Sequence, residues 1–119
     1  MTKHVLIFDD DIDILSILSY VFEEKGWEIH TRNDCEDIVA VVKEINPDVI
    51  LMDNWIPKTG GVIATQTLKQ HEDTKNIPII FFTADNDVEG LSQKAGADTF
   101  IAKPFNLDDL EKVIQQFLD

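Results

Sequence analysis

At 119 residues and 44% apolar composition, the chain is long and greasy enough to bury a core as one domain. Ten basic residues against 23 acidic ones leave a net charge of −13. That sign repels phosphate backbones and anionic lipid, and argues against direct nucleic-acid or membrane binding. No apolar run approaches the ~18 residues of a membrane span, and Thr2, Lys3 and His4 lead into a short strand rather than a signal peptide.

His4–Phe8 is a continuous apolar strand cut off by Asp9, Asp10 and Asp11. Ile12 to Lys25 reads as a helix, with Ile14, Leu18, Val21 and Phe22 as its inner stripe and Gly26 as its stop. Trp27–Arg32 alternates as a short strand, with Trp27, Ile29 and Thr31 on one face. Asn33 or Asp34 is placed to cap the next helix, whose stripe is Ile38, Val41, Val42 and Ile45, and Asn46–Pro47 ends it. Val49–Met52 is a second apolar strand and stops at Asp53.

After a loop from Pro57 to Gly61, a third helix covers about Gly61–His71, with Val62, Ala64, Thr65 and Leu68 inward. Pro78–Phe82 is the next apolar strand and ends at Thr83. A shorter helix spans about Asp87–Ala95 and closes at Gly96. Asp98–Ala102 is a weak last strand, and Lys103–Pro104–Phe105 follows it. Asn106 and the acidic pair after it open a final helix, Leu107–Leu118.

Apolar strands alternating with amphipathic helices imply an α/β domain over residues 1–119, with a parallel sheet covered on both faces. Ligands of such sheets sit beyond the carboxyl ends of the strands. There stand Asp9, Asp10, Asp11, Asp53, Thr83 and Lys103. Converging carboxylates repel unless a cation lies among them, and oxygen-only ligands suit Mg²⁺ (or Mn²⁺). A carboxylate nucleophile, a hard divalent ion, an ammonium and a hydroxyl together suit phosphoryl transfer.

The stretches HVLIFDDD (4–11), DVILMDNWIP (48–57), PIIFFTA (78–84) and AGADTFIAKPF (95–105) resemble, in order, the motifs of response regulator receiver domains, the family of the chemotaxis response regulator. The intervals also resemble that family's: 43 residues from Asp10 to Asp53, 30 on to Thr83 and 20 on to Lys103. The resemblance implies a flavodoxin-like doubly wound sheet in the order 2-1-3-4-5 with five helices. It implies a phosphorylation-activated switch of two-component signalling, with Asp53 as phosphoacceptor. Asp9, Asp10, Asp53 and the backbone carbonyl of Trp55 would hold the metal. Lys103 and Thr83 would contact the phosphoryl group, Phe100 would turn inward with Thr83, and Pro104 would follow the lysine through a cis bond. The chain departs from the family at Gly60–Gly61, where Asp-Gly is usual and a looser turn is expected, and at Ile56, Trp55 and Asp85.

The implied partners are a sensor histidine kinase or histidine phosphotransfer protein, a downstream protein target and a phosphorylation-dependent second copy, all in the cytoplasm. Ile12 and Leu15 lie near the crevice rim, and one or both are expected to stay exposed and dock the phosphodonor. Lys94, Asp98 and Lys112 are candidate charges on the output surface of the last helices. Two other readings compete. A haloacid-dehalogenase-type phosphatase would want Asp-x-Asp followed by Gly or Thr, where this chain has Asp9, Asp11, Ile12 and Asp13. A pseudo-receiver would be expected to lack an acidic residue or the lysine. Asp11 reads as a helix cap, Cys35 as a small helix-start residue, and His4, His30 and His71 as scattered surface residues that no metal-ligand spacing links.

Overall fold

The computed structural model describes residues 2–118. Its strands are β1 (His4–Phe8), β2 (Glu28–Arg32), β3 (Val49–Asp53), β4 (Ile79–Thr83) and β5 (Thr99–Ala102). They pair in parallel in the order β2-β1-β3-β4-β5, so the winding reverses between β1 and β3. The helices are α1 (Ile12–Glu23), α2 (Ile38–Ile45), α3 (Gly61–Gln70), α4 (Val88–Ala95) and α5 (Leu107–Leu118). This is the flavodoxin-like arrangement expected from the motifs.

Side chains alternate across each strand, so one apolar strand feeds two cores. Leu6, Phe8, Ile50, Met52, Ile79 and Phe81 pack under α2, α3 and α4. Val5, Ile7, Val49, Leu51, Ile80 and Phe82 pack under α1 and α5. Burying each such side chain contributes about 1.5–3 kcal/mol. The central strands are thereby fixed, and with them the positions of the residues at their ends.

Several expectations shift. The full burial on α1 falls on Leu15, Leu18 and Phe22, while Ile14 and Val21 are half-buried against the same core, so the expected stripe holds and widens to include Leu15. Leu15 is therefore core and Ile12 alone of that pair is exposed, at 64%. Asn33 and Asp34 do not cap α2. Asp34 accepts the amide of Glu36 in a separate turn, and Asp37, left-handed at φ 51°, precedes the helix without a side-chain cap. Asp11 does cap α1, accepting the amides of Asp13 and Ile14. Asp98 is exposed but engaged: its carboxylate accepts the amide of Ile79 and pairs with Lys69 at 2.6 Å, which gives it a structural task at the entrance of β5. Cys35 is buried, and desolvation with the nearby Asp34 charge pushes its thiol up to about 12, which keeps it inert. His4 and His30 are not scattered. Parallel pairing of β1 with β2 stacks their rings, with centroids 5.5 Å apart.

Candidate functional site

Strand register builds the crevice. Phe8 pairs with Met52, which sets Asp9 beside Asp53, and the Asp9 amide continues the ladder to the Arg32 carbonyl. Asp53 pairs with Phe82 and Thr83 with Ala102, so Thr83 and Lys103 end the neighbouring strands. The Lys103 amide donates to the Thr83 carbonyl at 2.9 Å, which fastens the last loop to β4.

Asp9 is fully buried and Asp53 is 2% exposed, while Asp10 is exposed at the rim. Oxygens of these three carboxylates lie within 4.8 Å of one another. Lys103 Nζ donates to Asp9 Oδ2 at 2.8 Å and to Asp53 Oδ1 at 3.2 Å, and lies 4.6 Å from the centre of the Phe82 ring. Asp53 Oδ2 accepts the amide of Trp55 at 3.2 Å, and Asp9 Oδ1 the amide of Asp11 at 2.9 Å.

One ammonium thus serves two buried carboxylates. Burial, then the charge of Asp9, raises the Asp53 carboxyl above its ordinary range, against the pull of Lys103 and the Trp55 amide. Burial opposes the charge of Lys103, but its bonds to Asp9 and the charges of both aspartates win and raise its value. Three carboxylates against one ammonium leave the pocket with net negative charge. An all-carboxylate donor set in a net negative pocket fits a small hard divalent cation. Asp11 is not part of this group, because its carboxylate caps α1.

Thr83 is buried, and its Oγ1 accepts the amide of Asp85 at 3.3 Å, leaving the hydroxyl hydrogen to donate. The Asp85 carboxylate is turned to the Asp87 amide at 2.9 Å. Phe100 is 38% exposed and points out of the sheet, so it is not core. The Lys103–Pro104 bond is cis. Trp55 is 64% exposed and, with Asp10, lines an open cleft of about 450 Å³ beside the carboxylates. The loop after Asp53 is not loose. Amides of Thr59, Gly60 and Gly61 donate to carbonyls of Pro57, Ile56 and Asn54 at 2.8, 3.0 and 2.9 Å.

The sequence profile of the response regulator receiver domain matches residues 5–115. The chain belongs to this family. It is 37% identical over 112 residues to the phosphate regulon transcriptional regulatory protein PhoB of Pseudomonas aeruginosa, covering 91% of this chain and 48% of that protein. It is 34% identical over 118 residues to the regulatory protein AtoC of Escherichia coli, covering 98% of this chain and 25% of that one. The receiver thus spans a quarter to a half of these relatives. Among solved structures, it superposes on the Vibrio cholerae chemotaxis protein CheY4 with a TM-score of 0.87 at 26% identity, covering 98% of this chain and 99% of the other. It shares its fold, at a TM-score of 0.88 and 24% identity over 98% of each chain, with the receiver domain of a sensor histidine kinase from Pseudomonas aeruginosa. No described helix of this receiver is long and apolar enough to cross a membrane.

The structure brings Asp9, Asp10, Asp53 and Lys103 together, with Thr83 at the end of the adjoining strand, while Asp11, the third acidic residue after β1, turns away to cap α1. Sequence reading missed the cluster of His4, Glu28 and His30, whose signal is that His4 and Glu28 each open a strand.

Proposed function

We propose that this receiver is a cytoplasmic signalling switch in which Asp53 accepts a phosphoryl group from a phosphohistidine, with Asp9, Asp10, Asp53 and the Trp55 carbonyl holding Mg²⁺. The observation that carries the reading is one lysine shared by two buried carboxylates, with a third at the rim. The structure of the Pseudomonas receiver was solved with magnesium coordinated in its active-site cleft, which supports Mg²⁺ here, and Mn²⁺ suits the same oxygens. When bound, the divalent ion supplies charge neutralisation for the phosphoryl oxygens.

An Asp53 oxygen attacks phosphorus, the P–N bond to the donor imidazole breaks, and the leaving nitrogen takes its electron pair and a proton. Lys103, already 3.2 Å from Asp53, is placed to bond a phosphoryl oxygen of the product. The Thr83 hydroxyl donates to another, and the Phe100 ring, now exposed, turns inward as Thr83 moves. A phosphodonor kinase or phosphotransfer protein docks over Ile12, which with Ile17 and Tyr20 leaves α1 greasy at its surface. Output runs through the surface of α4, β5 and α5, where Lys94 and Lys112 are exposed, to a target protein or a second copy.

Incubation with phosphoramidate and Mg²⁺ should add one phosphoryl group by intact mass, and chelation of Mg²⁺ or Asp53→Asn should abolish it. Undiminished labelling of Asp53→Asn would remove that residue as acceptor. Trp55→Asn should shorten the aspartyl-phosphate lifetime about tenfold, because the indole beside Asp10 covers the side from which water reaches the phosphorus. A phosphate-release time course checks this, and an equal or longer lifetime would show that the exposed ring shields nothing.

A further inference from the structure

A second group of ligand-type side chains lies at the opposite end of the sheet. His4 and Glu28 open β1 and β2 and pair directly, and His30, two residues on, stands on the same face as Glu28. His4 Nδ1 lies 2.9 Å from Glu28 Oε2 and 3.2 Å from His30 Nε2, and that His30 nitrogen lies 3.9 Å from the same carboxylate oxygen. All three atoms therefore face one point. Along β1, that point is roughly 16 Å from Asp9.

We propose that His4 Nδ1, His30 Nε2 and Glu28 Oε2 bind one borderline divalent transition-metal ion of the Zn²⁺ class, with water as the fourth ligand. Ligands about 2.0–2.1 Å from a tetrahedral zinc stand roughly 3.3–3.4 Å apart. The observed separations of 2.9, 3.2 and 3.9 Å bracket that spacing, so small side-chain rotations close the site. Two imidazole nitrogens and one carboxylate oxygen select Zn²⁺, Cu²⁺ or Ni²⁺ and disfavour Mg²⁺, which wants oxygens alone. The carboxylate crevice has the opposite preference, so the two ends of the sheet sort metals by ligand chemistry.

The backbone under the ligands is a paired strand ladder, which holds them without a loop rearrangement. The side chains are 33%, 56% and 26% exposed for His4, Glu28 and His30, which leaves a path for the ion and room for its water. Desolvation, opposed by Glu28 and reinforced by His4 and Arg32, lowers His30 from its ordinary value, a shift toward the neutral form that ligates metals. The competing arrangement is a cluster that shares protons and takes no metal.

The test is calorimetric titration of the untagged chain with Zn²⁺ in saturating Mg²⁺, which occupies the crevice. One Zn²⁺ per chain is expected. His4→Gln and His30→Gln should each weaken it at least tenfold, and His71→Gln, whose ring serves the Asp73 amide, should not. Ring-proton spectra of the parent protein give a readout that needs no variant, because Zn²⁺ should shift the His4 and His30 signals before that of His71. Binding unaffected by both substitutions, or His4 and His30 signals that stay in place as Zn²⁺ is added, would overturn the site and leave the proton-sharing cluster.

Discussion

Replacing Lys103 with methionine should destabilise the metal-free receiver by roughly 3–5 kcal/mol, the cost of stripping the partner from a buried charge. Asp9 and Asp53 are 0% and 2% exposed, and Lys103 Nζ donates to both. Methionine keeps an unbranched apolar side chain where the Lys103 ammonium lies 4.6 Å from the Phe82 ring, so the loss reports mainly the charge. Urea unfolding should show a lower midpoint with an unchanged slope. Saturating Mg²⁺ should restore part of the loss, since a divalent charge among the carboxylates replaces the missing ammonium. The pH dependence follows from Asp53. Its carboxyl is raised in the folded protein, so its contribution is present below the ordinary carboxylate range and lost as pH rises. The variant's deficit should therefore be smaller in mildly acidic buffer than at neutral pH. Stability equal to the parent's at neutral pH would mean that Lys103 does not neutralise these groups.

Gly61→Ala should cost about 3 kcal/mol and slow phosphorylation as well. A Cβ at Gly61 would meet the Asp53 carbonyl oxygen at 2.1 Å and the Asn54 Cα at 2.8 Å. Both are backbone, so the loop must lift away from Asp53, an overpacking cost at the upper end of the usual range. Gly60 differs. A Cβ there meets nothing within 4 Å, but its φ of +80° with ψ of 149° is a backbone conformation that essentially only glycine adopts, which costs a side chain about 1–3 kcal/mol. Gly60→Ala should thus also lose stability in thermal unfolding, but keep a near-parental rate of acetyl phosphate labelling, since its strain is not directed at Asp53. Equal slowing of labelling at the two positions would show that close approach to Asp53 is not what sets the need for glycine at Gly61.

The crevice was legible because each of its residues interrupts an apolar run at a strand end, a local signal. The strand ends themselves lie one residue later than hydropathy suggests at β3 and β4. Asp53 and Thr83 are polar but still pair, with Phe82 and Ala102, and the ladder does not depend on side-chain polarity. Leu15 is core and Ile14 only half-buried because docking decides which edge of an apolar stripe is pressed deepest, and both residues lie beside Leu18 on the inner face of α1. The pairing of Asp98 with Lys69 joins the entrance of β5 to α3, a contact that no pattern within either segment announces. His4, Glu28 and His30 depend on the register of two parallel strands linked by a whole helix, so their meeting was invisible until the sheet was seen.

The central claim is that the phosphoryl group rests on Asp53. After labelling with phosphoramidate and Mg²⁺, borohydride cleaves an acyl phosphate and converts that aspartate to homoserine, which peptide mass mapping locates. The account predicts homoserine at position 53 alone, dependent on the divalent ion. Conversion at Asp9 or Asp10 with Asp53 intact, or a phosphoryl group that survives borohydride, would contradict it.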